Sequence, residues 1–253
     1  MSLTSPEQLL LFCTRQVMPT VCRVADQCLQ EQYQIEIKEH GDFVTTIDKR
    51  INEELICELR TLLPEAGVIS EESAAAPEKL VNWIIDPIDG TTNFIYGLPF
   101  AVSVALKEQS SGETLLGIVY DPKRETVYYA CKGCGSYRLC GKTQQKLSVG
   151  TFPNDEGPVF FGMPYDRSKT HRIFQIAERC YRIASDLKRI GPASLDICMV
   201  AAGNAKAYAE LDLKVWDVSA GILILKEAGG FYKKQDDLFV FACNADTIRQ
   251  ILQ

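Results

Sequence analysis

Trp83-Ile84-Ile85-Asp86-Pro87-Ile88-Asp89-Gly90-Thr91-Thr92-Asn93 carries the densest chemistry in the chain. An apolar strand is predicted to end at Asp86, Pro87 fixes its exit, and Asp89 follows three residues on. Gly90-Thr91-Thr92-Asn93 can then open a short helix. Carboxylates at a strand end can hold a cation, and the N–H groups of a fresh helix start, aided by the dipole, can hold a phosphate. Either aspartate alone reads as the cap of a turn or helix. Side by side, they can serve both halves of a metal–phosphate complex.

Outward from this stretch, Glu71-Glu72-Ser73 follows the preceding strand, so adjacent strand ends could bring Glu71 to Asp86 and Asp89. Far downstream, Val215-Trp216-Asp217-Val218-Ser219-Ala220-Gly221 places an acid where an apolar helix begins. Asp217 there is an N-cap or a further acid facing the same cation.

The flanks set the fold class. Ser5-Pro6-Glu7-Gln8 supplies a cap, a first-turn proline and a capping-box glutamine. Leu10, Cys13, Val17, Val21, Val24 and Cys28 then form one helical stripe, which Pro19 should kink or interrupt. A second helix is expected from about Lys49 to Leu63, ended by Pro64. Strands are expected at 68–70, 81–85, 101–107, 115–120 and 126–130, an α+β meander. Gly150–Pro158 reads as a boundary, giving a subdomain over 1–150 that carries most of the candidate ligands and a second over 151–253. In the second, strands near 159–161, 185–188, 207–210, 230–233 and 238–243 alternate with helices near 169–180, 194–202 and 218–228, an α/β pattern.

Composition narrows the chemistry. The 253 residues hold 46% hydrophobic and 24% charged side chains, which excludes a disordered chain. The net charge of −6 argues against a dedicated nucleic-acid partner. Only His40 and His171 are present, so a three-histidine zinc site is impossible, and oxygen ligands point to Mg²⁺, Mn²⁺ or Ca²⁺. Of ten cysteines, Cys131, Cys134 and Cys140 lie closest to a zinc pattern, but no second C-x₂-C completes it; free thiols are expected. No segment reads as a signal peptide or membrane span, so a cytoplasmic protein without a membrane partner is expected.

The sequence resembles the inositol monophosphatase family of Mg²⁺-dependent, lithium-sensitive phosphatases. Trp83–Phe94 and Trp216–Gly221 match its two signatures. Support comes from Gly41–Asp48, Glu71-Glu72-Ser73 and Gly191-Pro192-Ala193-Ser194-Leu195-Asp196, all in order along nearly the whole chain. The resemblance implies a layered αβαβα sandwich and commonly a homodimer. It implies that Glu71, Asp86, the Ile88 carbonyl, Asp89 and Asp217 ligate two or three Mg²⁺ ions. Gly90 and Thr91 would hold the phosphate of a small phosphorylated substrate through backbone N–H groups, while Asp48 and Thr91, with Glu71, would position the attacking water. Lys38 matches a lysine at the cleft mouth, Glu210 a residue that contacts sugar hydroxyls, and Gly191, Pro192, Ala193 and Ser194 a substrate-facing loop.

Ester hydrolysis by paired Mg²⁺ needs no histidine base, which suits a chain with two. Three residues depart from the family pattern: Ser70 for glycine, Pro192 for serine and Lys206 for an acid. They leave the acidic set intact and bear on the substrate. The expected substrate is myo-inositol monophosphate or a similar polyol phosphate. Fructose-1,6-bisphosphate and 3′-phosphoadenosine phosphate are alternatives, as is a regulatory protein that docks a protein or RNA partner.

Overall fold

A computed structural model describes residues 5–39, 42–73, 79–153 and 156–253, without the side chains at 38, 39 and 42. The chain opens with α1 (Pro6–Phe12) and α2 (Met18–Cys28), joined without a break by one π-helical turn, Cys13–Val17. Pro19 does not interrupt the helix as its sequence suggests. A proline lacks the N–H for the carbonyl four residues back and crowds it, and the wider turn ahead of it absorbs the misfit. A small hairpin, β1 (Ile35–Glu39) and β2 (Asp42–Thr45), leads into α3 (Thr46–Leu62). α3 starts three residues earlier than its apolar stripe indicates, because Thr45 and Asp48 form a capping box.

Seven strands follow, in the order β3 (Gly67–Ser70), β4 (Val81–Asp89), β5 (Ala101–Glu108), β6 (Thr114–Asp121), β7 (Thr126–Cys131), β8 (Ser136–Cys140) and β9 (Thr143–Lys146). Between β4 and β5 lies the short helix α4 (Thr91–Ile95). Only β3–β4 is parallel; the rest is a meander. A second sheet comprises β10 (Gly157–Phe161), β11 (Ala184–Lys188), β12 (Ala207–Leu211), β13 (Phe231–Gln235) and β14 (Leu238–Ala242), ordered β11-β10-β12-β14-β13. Its helices are α5 (Thr170–Arg182), α6 (Ala193–Ala201), α7 (Val215–Glu227) and α8 (Ala245–Leu252).

Alternation along β4 and β5 sorts the core into layers. Trp83, Ile85, Val102 and Val104 pack against α1–α3, whereas Ile84, Ala101 and Ala105 face α6 and α7. Val159, Ala207 and Val240 carry the far face of the second sheet to α5 and α8. The result is the αβαβα sandwich. α6 and α7 lie between two sheets, so they are buried on nearly every side and are apolar around most of their circumference. Gly117 of β6 lets α7 in: a Cβ there would stand 2.8 Å from the Ala220 Cα. Among the described residues no helix is long and apolar enough to cross a membrane.

Candidate metal centre

Residues three apart on a regular strand point to opposite faces, so Asp86 and Asp89 should diverge. They do not, because β4 continues past Asp86 and carries a bulge there. Asp86 pairs with Ser103 and Asp89 with Ala101, one residue more on β4 than on β5. The extra residue turns both carboxylates toward α7. Asp217 meets them from the first turn of that helix, where it accepts the Lys214 N–H at 2.6 Å. Ligand oxygens of Asp86, Asp89 and Asp217 all lie within 4.8 Å of one another.

Three carboxylates so placed repel. Burial pushes Asp86 well above the usual carboxylate range, and the charges of Glu71, Asp89, Asp217 and Asp48 push the same way. Asp217 is raised well above its usual value by burial and then by Asp89. Asp89 is raised to about 6 by burial, opposed by hydrogen bonds from Ser194 and Ala193 at the start of α6. The Ser194 N–H donates to it at 2.7 Å. One oxygen of Asp86 is buried with no hydrogen-bond partner among the described residues. A buried, unpartnered carboxylate oxygen beside two further carboxylates is the environment a hard divalent cation satisfies, so the donor set fits Mg²⁺.

Glu71 lies outside this trio of oxygens. It sits just beyond β3, its N–H on the Ile85 carbonyl at 3.3 Å, and its charge acts on both Asp86 and Asp217. Asp48, at the start of α3, accepts the Thr91 hydroxyl at 2.9 Å; that hydroxyl is also 3.3 Å from the Ile88 carbonyl. Asn52 is a residue that periodicity alone overlooks. On the buried side of α3 it accepts from Ser70 and donates to Ser73 at 2.9 Å, bracketing the Glu71-Glu72 turn. A lone asparagine on an apolar stripe is the signal that could have found it. The Ser70 departure therefore supplies a hydroxyl to that bracket.

The loop before α6 closes on the centre. Gly90 has φ +87°, and a Cβ on it would stand 2.9 Å from the Pro192 Cβ. Glu210, on β12, accepts the Tyr208 hydroxyl and lies over Gly162, where a Cβ would fall 1.9 Å from its carboxylate. Burial raises Glu210 to about 7. Lys206 departs from the family pattern away from the trio, buried, with its ammonium 3.4 Å from the Ile183 carbonyl. Lys38 lies on β1, and its side chain falls outside the described residues.

Comparison with known proteins places this geometry. The family model "Inositol monophosphatase family" matches residues 8–237. A Nus factor SuhB of Pasteurella multocida is 37% identical over 206 residues, covering 79% of this chain and 75% of that protein. An inositol-1-monophosphatase of Mesorhizobium japonicum is 34% identical over 211 residues, covering 81% and 77%. The crystal structure of the extragenic suppressor protein SuhB from Bartonella henselae superposes with a TM-score of 0.82 at 27% identity, over 93% of this chain and 97% of that one.

Proposed function

Because the chain belongs to the inositol monophosphatase family, we propose that it is a Mg²⁺-dependent phosphomonoesterase acting on myo-inositol monophosphate or a similar small polyol phosphate. The observation that carries this is the meeting of Asp86, Asp89 and Asp217, with a buried Asp86 oxygen that has no hydrogen-bond partner among the described residues. These three, with Glu71 and the Ile88 carbonyl, would hold two or three Mg²⁺ ions. Bound there, the cations would neutralise phosphate charge, activate water and stabilise the leaving alkoxide.

The chain's own groups do the rest. Thr91 commits its hydroxyl proton to Asp48, leaving lone pairs that accept from the attacking water and orient it beside Glu71. The Gly90 and Thr91 N–H groups take the phosphate oxygens. Glu210 accepts from a polyol hydroxyl, and the 191–194 loop closes over the substrate. A division into subdomains 1–150 and 151–253, a homodimer, lithium inhibition and a cytoplasmic location belong to the same reading.

Relatives bear the name Nus factor SuhB, which favours keeping a second reading, action by docking a protein or RNA partner. It weighs against excluding nucleic acid on charge alone. Phosphate release from myo-inositol 1-phosphate, fructose-1,6-bisphosphate and 3′-phosphoadenosine 5′-phosphate, titrated with Mg²⁺ with and without Li⁺, tests the esterase. Turnover of the first, or of another polyol monophosphate, supports it. No turnover of any ester, with partner capture intact in an Asp217→Asn variant, overturns it for the second.

A further inference from the structure

Asp196 ends the Gly191-Pro192-Ala193-Ser194-Leu195-Asp196 motif. The residue is 2% exposed and stands in the first turn of α6, four residues past Pro192, which precedes that helix. From there it reaches back beyond the helix start and accepts the Gly191 N–H at 3.0 Å. Its own N–H donates to the Pro192 carbonyl, also at 3.0 Å. One residue thus grips both members of the turn that enters α6.

That turn is held against the metal centre from its other sides. Pro192 lies on Gly90, the Ser194 N–H reaches Asp89, and the Asn93 amide is 3.5 Å from the Ile190 carbonyl. Gly90, Asn93 and Asp89 all belong to the strand-to-helix stretch that forms the phosphate side of the site. Gly191 has φ +64°, a conformation that glycine adopts freely and would leave as freely. The Asp196 carboxyl is the side-chain acceptor on its N–H.

We propose that Asp196 is a positioning residue for substrate: by holding Gly191 it fixes the 191–194 loop over the phosphate cradle, and so sets affinity for the ester without taking part in the hydrolytic step. The inference rests on the esterase reading. A helix cap of purely structural value would look similar in the fold, but it predicts different kinetics. Loss of a cap lowers the folded fraction and leaves the Michaelis constant of the remaining enzyme unchanged. Loss of loop positioning raises that constant.

Asp196→Ala and Asp196→Asn are compared with wild type in two assays. In Mg²⁺-saturated phosphate release, Asp196→Ala should raise KM about tenfold with kcat within about threefold. Asp196→Asn keeps a carbonyl acceptor of the same reach and should restore KM to near wild type. In amide hydrogen exchange with Mg²⁺ and inorganic phosphate, Asp196→Ala should speed exchange about tenfold across 190–194 and leave β4 unchanged. An unchanged KM, a fall in kcat alone, or undiminished protection of the loop would each overturn the proposal. If wild type turned over no ester, the esterase reading would fail, and exchange at 190–194 would still decide whether Asp196 positions the loop.

Discussion

Replacing Asp89 by asparagine sets two forces against each other. The carboxylate lies within 4.8 Å of the oxygens of Asp86 and Asp217, so each fully charged pair would cost about 3 kcal/mol at an effective dielectric near 20. Protons held by Asp86 and Asp217, both raised well above the usual range, remove part of that repulsion. On the other side, Asp89 accepts from the N-terminus of α6, and an uncharged acceptor there is weaker by about 0.5–1 kcal/mol. The balance favours the variant by roughly 1–2 kcal/mol in chelator at pH 8, or a Tm rise of about 2–8 °C for a chain of this size. Because burial raises Asp89 to about 6, the gain should shrink as pH falls below 6, be smaller at pH 5 than at pH 8, and vanish only below the unfolded carboxyl's range, at about pH 4. With Mg²⁺ the order reverses: wild type gains stability by ligand linkage, the variant gains little, and turnover falls about 10³-fold or more. Paired thermal melts at pH 5 and pH 8, in chelator and in Mg²⁺, read all of this. An undiminished Mg²⁺ shift with near-wild-type turnover would refute the metal-centre assignment. A variant less stable than wild type in chelator at pH 8 would refute the repulsion.

Burial raises Asp196 to about 8, so its folded-state pKa lies far above its unfolded one, and the stability it favours is present at low pH and lost as pH rises toward 8. Melts in chelator should therefore give a higher Tm at pH 6 than at pH 8.5, with a smaller difference in Asp196→Asn; an equal difference would remove Asp196 from the cause. Gly162→Ala places a methyl where the Glu210 carboxylate lies and should raise KM for a polyol ester several-fold while the Mg²⁺ melting shift survives; an unchanged KM would detach Glu210 from substrate. Gly117→Ala drives a methyl into the α7 backbone and should cost about 1–3 kcal/mol by denaturant unfolding, with weaker Mg²⁺ activation; a wild-type midpoint would show that α7 can retreat. All ten cysteines should react with a thiol reagent in denaturant without prior reduction, and fewer than ten would reveal a disulfide.

The layers and the strand-to-helix stretch were legible because both rest on long apolar runs with sharp ends. What periodicity missed has specific causes. β1 carries exposed Ile35 and Ile37, and β9 is Thr-Gln-Gln-Lys, so neither shows a buried face to read. α7 begins at Val215, ahead of the 218 start expected from its apolar run, so Asp217 lies inside its first turn and caps it from there by accepting the Lys214 N–H, rather than standing at the N-cap position. α8 escaped notice because its eight residues are too few for a confident period. The same-side placement of Asp86 and Asp89 was harder still. It depends on pairing with β5, a non-local fact that spacing along one strand cannot contain.

The position of α7 has a consequence for how the chain must be made. The seven-stranded sheet is complete at Lys146, but the helix that covers its inner face ends only at Glu227, about 80 residues later. At roughly 5–20 residues per second, a nascent chain spends about 4–16 s with Ile84, Ala101, Ala105 and Val119 facing solvent. Over those seconds the growing polypeptide presents a broad sticky surface with nothing of its own to lay on it, so the hazard to this protein is greatest on the ribosome, where a chaperone would have to shield that face until the two central helices emerge.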